Sequence, residues 1–314
     1  MGQSARVVLL RFFEWSARQG GLLLAASIFG GLLIPPLAAA FRDVLTPMIA
    51  TLMTLVLLRI DPVQVLGYLR RPVLMLAMSG FVLLASPLLV FGVVWLTGFQ
   101  GPMGAGLVMM AAACAATSSP AFARLVGLDG EMALVVSLVT TVLVPFTAPP
   151  LALGLLGIDL SISIGGLMGR LALIVLLPAA IAMVIRALVG PERLRRLGGA
   201  VDGGVVWLVV IYGFGVMDGM LALMLREPGW VLGGIALAFA GNFGLNIVTA
   251  LVFAPFGRRI ALSAGLLGGN RNLALFLAVL PATADKDLLL FFALCQFPLF
   301  LGPAILQGVY RKLA

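Results

Sequence analysis

The sequence predicts an all-α polytopic membrane protein. Ten transmembrane helices form two inverted five-helix repeats, with helices 4 and 9 unwound and crossed. Three observations carry this expectation: recurring apolar runs, one-sided basic charge, and two interruptions at matching places. Of 314 residues, 62% are hydrophobic and 10% are charged, against roughly 25% charged in a soluble domain. Runs long enough to cross a hydrocarbon core of about 30 Å recur from one end of the chain to the other.

Residues 1–20 interleave Arg6, Arg11 and Arg18 with apolar side chains. They read as an N-terminal interfacial segment. No small-residue cleavage site follows, so a cleaved signal peptide is not expected. Ten apolar segments then lie near 21–40, 44–58, 72–98, 103–127, 131–157, 164–190, 203–224, 229–255, 259–281 and 287–310. The first repeat spans 21–157 and the second 158–314.

With the N-terminus inside, fifteen of the 20 Lys and Arg residues, Arg70 and Arg71 among them, fall on the cytoplasmic side. Only Arg42, Arg170, Arg226 and Lys286 fall outside, and Arg271 lies within a segment. This bias supports an even number of spans with both termini cytoplasmic. The expected location is the bacterial inner (plasma) membrane.

Composition excludes several classes. The net charge of +8 sits in short breaks between apolar runs, the footprint of topology rather than of nucleic-acid binding. The chain has no histidine, which removes imidazole relays and histidine metal ligation. Cys114 and Cys295 lie in apolar runs and read as packing residues. Lipid is the expected surroundings, no nucleic acid is expected, and the oligomeric state stays open.

The interruptions carry the chemistry. The fourth segment breaks at Thr117-Ser118-Ser119-Pro120 and the ninth at Gly268-Gly269-Asn270-Arg271-Asn272. Ser119 precedes Pro145 by 26 residues, and Arg271 precedes Pro298 by 27. Five spans per half force opposite orientation, and paired breaks in inverted halves point to a transporter binding site. Unwound backbone at membrane depth survives only where protein or a water-filled cavity satisfies it, so two breaks that cross can satisfy each other.

At the first break three hydroxyls precede a proline that disrupts the helix. At the second, glycines permit close approach and the asparagines offer donors and acceptors. Arg271 lies about a dozen residues from either end of its segment, too deep to snorkel easily. Such burial costs about 2.5–3.5 kcal/mol on insertion scales, and arginine cannot escape the cost by deprotonation. It reads as a substrate anchor or fixed internal cation, or alternatively as a structural ion pair with Asp218. The candidate cavity is Thr117, Ser118, Ser119, Asn270, Arg271 and Asn272, joined by Ser137 on span five and Asn242 on span eight. Asn246, four residues after Asn242, either lines the same cavity or joins helices.

Three stretches carry a resemblance to the bile acid:sodium symporter family: "TPMIATLMTLVLLRIDPVQVLGYLRRP", "AACAATSSPAFARLVGLDGEMALVVSLVTTVLVPFTAP" and "RRIALSAGLLGGNRNLALFLAVLP". The resemblance covers about 44–310 and implies ten helices, crossed fourth and ninth helices, and transport of an organic anion such as a bile acid or small carboxylate, usually with sodium. Thr117, Ser119, Ser137 and Asn270 match the family's polar positions. Pro120, Ala133, Gly265 and Gly269 stand where it has an asparagine, a hydroxyl, a glutamate and a glutamine. By this comparison the sodium sites are largely lost and no metal or cofactor is expected. The expectation is therefore a non-enzymatic secondary transporter of a small organic anion working by alternating access, with Arg271 in place of the coupling cation. A conventional sodium symporter and an anion channel are the alternatives.

Overall fold

The computed structural model describes residues 3–59, 72–157, 162–281 and 284–313. Arg70, Arg71 and the proposed repeat boundary at 158 lie outside them. Among the described residues the chain is helical, apart from one β-type pairing of Ala115 with Arg271.

Helices α1 (Gln3–Arg18) and α2 (Gly20–Leu33) meet at Gln19. Gln19 N–H donates to Trp15 O at 3.1 Å, and Leu23 N–H donates to Gln19 O at 3.0 Å. Helix-type bonds thus link the basic segment to the first apolar segment across Gln19. Ile34 precedes Pro35-Pro36, which disfavours α geometry at that residue. The chain bends there by 107° into α3 (Pro35–Arg42).

Helix α4 (Leu45–Leu58) follows. The third apolar segment becomes α5 (Pro72–Gly80), a π-helical turn (Phe81–Ala85) and α6 (Ser86–Leu96). Helix α7 (Pro102–Ala112) ends at the first break, beyond which α8 (Ser119–Leu125) resumes. Helix α9 (Gly130–Pro149) is capped by Asp129, whose Oδ1 accepts from Met132 N–H at 2.9 Å. The chain continues through α10 (Ile164–Val189), α11 (Pro191–Arg196), α12 (Gly198–Val216), α13 (Met220–Arg226) and α14 (Pro228–Val252). Helix α15 (Arg258–Gly269) stops at the second break, and α16 (Ala274–Val279), α17 (Lys286–Leu294) and α18 (Gln296–Leu313) complete the chain.

Both interrupted helices start in the same way. Gly101 before α7 and Gly257 before α15 hold φ at +107° and +101°, a region that side-chain-bearing residues rarely enter.

Five described helices are long and apolar enough to cross a membrane, or up to seven if each of two bent pairs counts as one span. Helices α7 and α15, at 11 and 12 residues, are too short to cross alone.

The chain divides into two compact units that cut across its halves. One comprises Met1–Ile60 and Ile174–Arg226, the other Asp61–Leu173 and Glu227–Ala314; α10 contributes to both.

In the first unit α1 and α2 both approach α12 closely. A Cβ on Gly31 would meet Phe214 O at 2.8 Å, and one on Gly203 would collide with Phe13 O. Small residues at helix contacts allow this approach. Phe12 stacks on Trp207 with ring centroids 5.7 Å apart. Trp207 Nε1–H donates to Ser16 Oγ at 3.0 Å.

In the second unit α8, α9 and α15 pack around Phe122, Met132, Val136, Leu266 and Leu267. This apolar core sits directly against both breaks.

Candidate functional site

The two breaks are paired to each other. Ala113 and Asn270, the residues that end α7 and α15, are extended, with ψ of 153° and 103°. Ala116 N–H donates to Asn270 O at 2.8 Å, and Asn272 N–H donates to Cys114 O at 2.9 Å, on either side of the antiparallel Ala115–Arg271 bridge. Each break thereby supplies the other with backbone bonds that its own helix cannot make.

Helix α9 satisfies the first break from the side. Ala115 N–H donates to Thr140 Oγ1 at 3.2 Å, and Ser137 Oγ donates to Ala116 O at 3.3 Å. Thr140 and Thr141 are otherwise bonded back to their own helix, Thr141 Oγ1 donating to Ser137 O at 2.7 Å. At the second break Asn242 Nδ2–H donates to Gly269 O at 2.8 Å.

Arg271 is 2% exposed. Its Nε–H donates to Gly268 O at 2.7 Å, Nη1 donates to Val82 O at 2.7 Å and Ala113 O at 3.0 Å, and Nη2 donates to Ser86 Oγ at 2.8 Å. Four of its five N–H groups thus have acceptors, all of them neutral oxygens. Two of those carbonyls, Ala113 and Gly268, belong to the C-terminal ends of α7 and α15. Helix C-termini carry partial negative charge, so the guanidinium stands where two such ends converge. It forms no ion pair among the described residues. Asp218, the partner considered from sequence, instead accepts from Arg42 Nη1 at 2.9 Å.

The other sequence-predicted residues are disposed as follows. Ser119, Ser137, Asn242, Asn270 and Asn272 are buried, Thr117 is half-buried and Ser118 is exposed. Thr117, Ser118 and Ser119 share the first break, Asn270, Arg271 and Asn272 the second, and Ser137 and Asn242 flank one break each. Ser119 Oγ and Asn242 Oδ1 are buried with no hydrogen-bond partner among the described residues. Asn246 joins helices: its Oδ1 accepts from Tyr310 Oη–H at 2.9 Å.

At Gly265 and Gly269 the space beside the helix is filled by packing. A Cβ on Gly265 would meet Asn246 O at 2.7 Å and the Ala250 methyl at 2.9 Å, and one on Gly269 would meet Asn242 O at 2.6 Å. A Cβ on Gly268 would collide with Thr249. Helix α14 thus occupies the space into which side chains at 265 and 269 would grow.

Sequence reading missed Val82 and Ser86. The visible signal was Ser86-Pro87 inside an apolar run, which marks a place where helical bonding changes.

This arrangement belongs to an integral membrane protein, built of apolar helices around two paired interruptions. The family model described as Sodium Bile acid symporter family matches residues 46–214, more than half of the 314 residues. The chain belongs to that family, and its members are transporters. The match includes the first break and ends before the second. A search of curated proteins found no match.

Proposed function

We propose that this protein is a secondary transporter of a small organic anion, of bile-acid or carboxylate type, working by alternating access without sodium. In this reading ten spans form two inverted repeats, and each compact unit draws on both halves of the chain. The observation that carries the proposal is the Arg271 guanidinium, buried between the carbonyl ends of α7 and α15 without an ion pair among the described residues. It supplies the positive charge that a bound cation would bring to two helix C-termini. Its field also favours an anion nearby.

The binding groups in this reading are Thr117, Ser118, Ser119, Asn270, Asn272, Ser137, Asn242 and the remaining N–H of Arg271. The unpartnered Ser119 Oγ and Asn242 Oδ1 support it, because buried polar atoms ordinarily find partners. Gly265 and Gly269 speak against sodium. Neither offers a side-chain oxygen, and helix α14 leaves no room for one.

Purified protein should be stabilised against thermal unfolding by cholate-type or small carboxylate anions equally in sodium and in choline buffers. Uptake into sealed proteoliposomes should likewise be unchanged when sodium is replaced. A requirement for a sodium gradient sinks the proposal and restores conventional sodium symport.

A further inference from the structure

The third span contributes to the Arg271 site through a local irregularity. In the π-turn Ser86 N–H donates to Phe81 O, five residues back. An α-helical bond would have carried it to Val82 O. The next N–H that could serve Val82 O belongs to position 87, which is proline and has none. The Val82 carbonyl is therefore left without a backbone donor while 1% exposed. Two side chains serve it: Arg271 Nη1 at 2.7 Å and Ser86 Oγ–H at 2.9 Å. Ser86, fully buried, meanwhile accepts from Arg271 Nη2 at 2.8 Å.

Four oxygens from three separate segments thus converge on one cation: Val82 O, Ser86 Oγ, Ala113 O and Gly268 O. Emptied of that cation, three buried carbonyls would point their negative ends at one volume, with the Ser86 hydroxyl left to serve Val82 O. The shape of the site specifies the cation. The oxygens lie 2.7–3.0 Å from three different nitrogens, spread along the edges of a planar fork. A hard metal ion would need its oxygens about 2.3–2.6 Å from a single point.

We infer that the third-span π-turn and the two helix breaks form a guanidinium cage, which Arg271 fills from within. This rests on reading Arg271 as an internal cation, and it makes Arg271 a positioning residue of the paired breaks. Because the cation is covalently held, the cage stays occupied throughout the transport cycle. The third span and both interrupted helices, all in one compact unit, then move together.

Thermal unfolding of Arg271→Ala tests the inference, using guanidinium, sodium and choline chlorides at about 50 mM, low enough that denaturation by guanidinium is slight. Guanidinium should raise the midpoint of Arg271→Ala by about 3 °C while leaving the wild type unchanged or slightly lower. Sodium and choline should not. Arg271→Lys should stay as unstable as Arg271→Ala, because an ammonium cannot span four acceptors. Equal responses of wild type and Arg271→Ala to guanidinium overturn the cage.

If Arg271→Ala does not fold, Ser86→Ala gives a second test. It should unfold at a lower temperature than Ser79→Ala, whose buried hydroxyl has no partner among the described residues. Equal midpoints again overturn the inference. Stabilisation of the wild type by sodium would sink the sodium-independent transport reading alone, so the two failures are distinguishable.

Discussion

The two helix breaks meet the same physical demand by different means. The first, around Thr117 to Pro120, is held from outside: α9 brings Thr140 Oγ1 to Ala115 N–H and Ser137 Oγ to Ala116 O. The second is held mainly from within: Arg271 turns back onto Gly268 O and reaches across to Ala113 O, while Asn242 of α14 adds one bond to Gly269 O. One break is neutral and leans on hydroxyls. The other carries a full charge and leans on glycines that let α14 come close. The difference teaches that an unwound membrane helix can satisfy its backbone either by borrowing a neighbour's side chains or by carrying its own cation.

The sharpest way to break this comparison is to place an acid beside the second break. Gly265→Glu drives a Cβ into Asn246 O at 2.7 Å and Ala250 at 2.9 Å. It should destabilise the protein by about 3 kcal/mol, as overpacking of a close contact does, without creating stabilisation by sodium. Thermal unfolding in sodium and choline buffers reads both effects; a variant that folds well and gains a sodium response would show that α14 is not the barrier.

A smaller effect is expected at the first break. Thr140→Val keeps the shape but leaves Ala115 N–H without its acceptor. The cost should be about 1–2 kcal/mol, that of one unmet buried donor. If the variant matches the wild type, the break is not held from α9.

The smallest effect belongs to Ser119→Ala. Its hydroxyl is fully buried with no partner among the described residues, so stability without ligand should change by no more than about 0.5 kcal/mol. Apparent affinity for a stabilising organic anion should fall about fivefold, close to 1 kcal/mol for one lost neutral hydrogen bond. Unchanged anion affinity removes Ser119 from the binding groups.

Much of this was legible in the residues. Apolar runs mark membrane helices because lipid admits few alternatives to them. Pro120 and the Gly268-Gly269 pair mark the breaks, since each weakens helical geometry in a recognisable way. Arg271 stood out because a charge in an apolar run is costly. Its partners were not legible. Asp218, the only carboxylate well inside an apolar segment, drew the obvious pairing, yet it bonds Arg42. The true acceptors are backbone carbonyls, which every residue has and no residue type announces. The helix-type bonding across Gln19 was also hidden, because basic residues interleaved with apolar ones suggest an interface whether or not another helix follows directly.

By itself, then, the sequence determined the chain's class and the positions of its two interruptions. These follow from composition, periodicity and helix-breaking residues, all of which act locally. Only the tertiary structure decided what each interruption does. It paired Ala115 with Arg271, laid α14 over Gly265 and Gly269, and turned α5 and α6 so that Val82 and Ser86 meet the guanidinium. Those outcomes depend on which carbonyls are left without donors once distant helices have packed, and no local pattern encodes that.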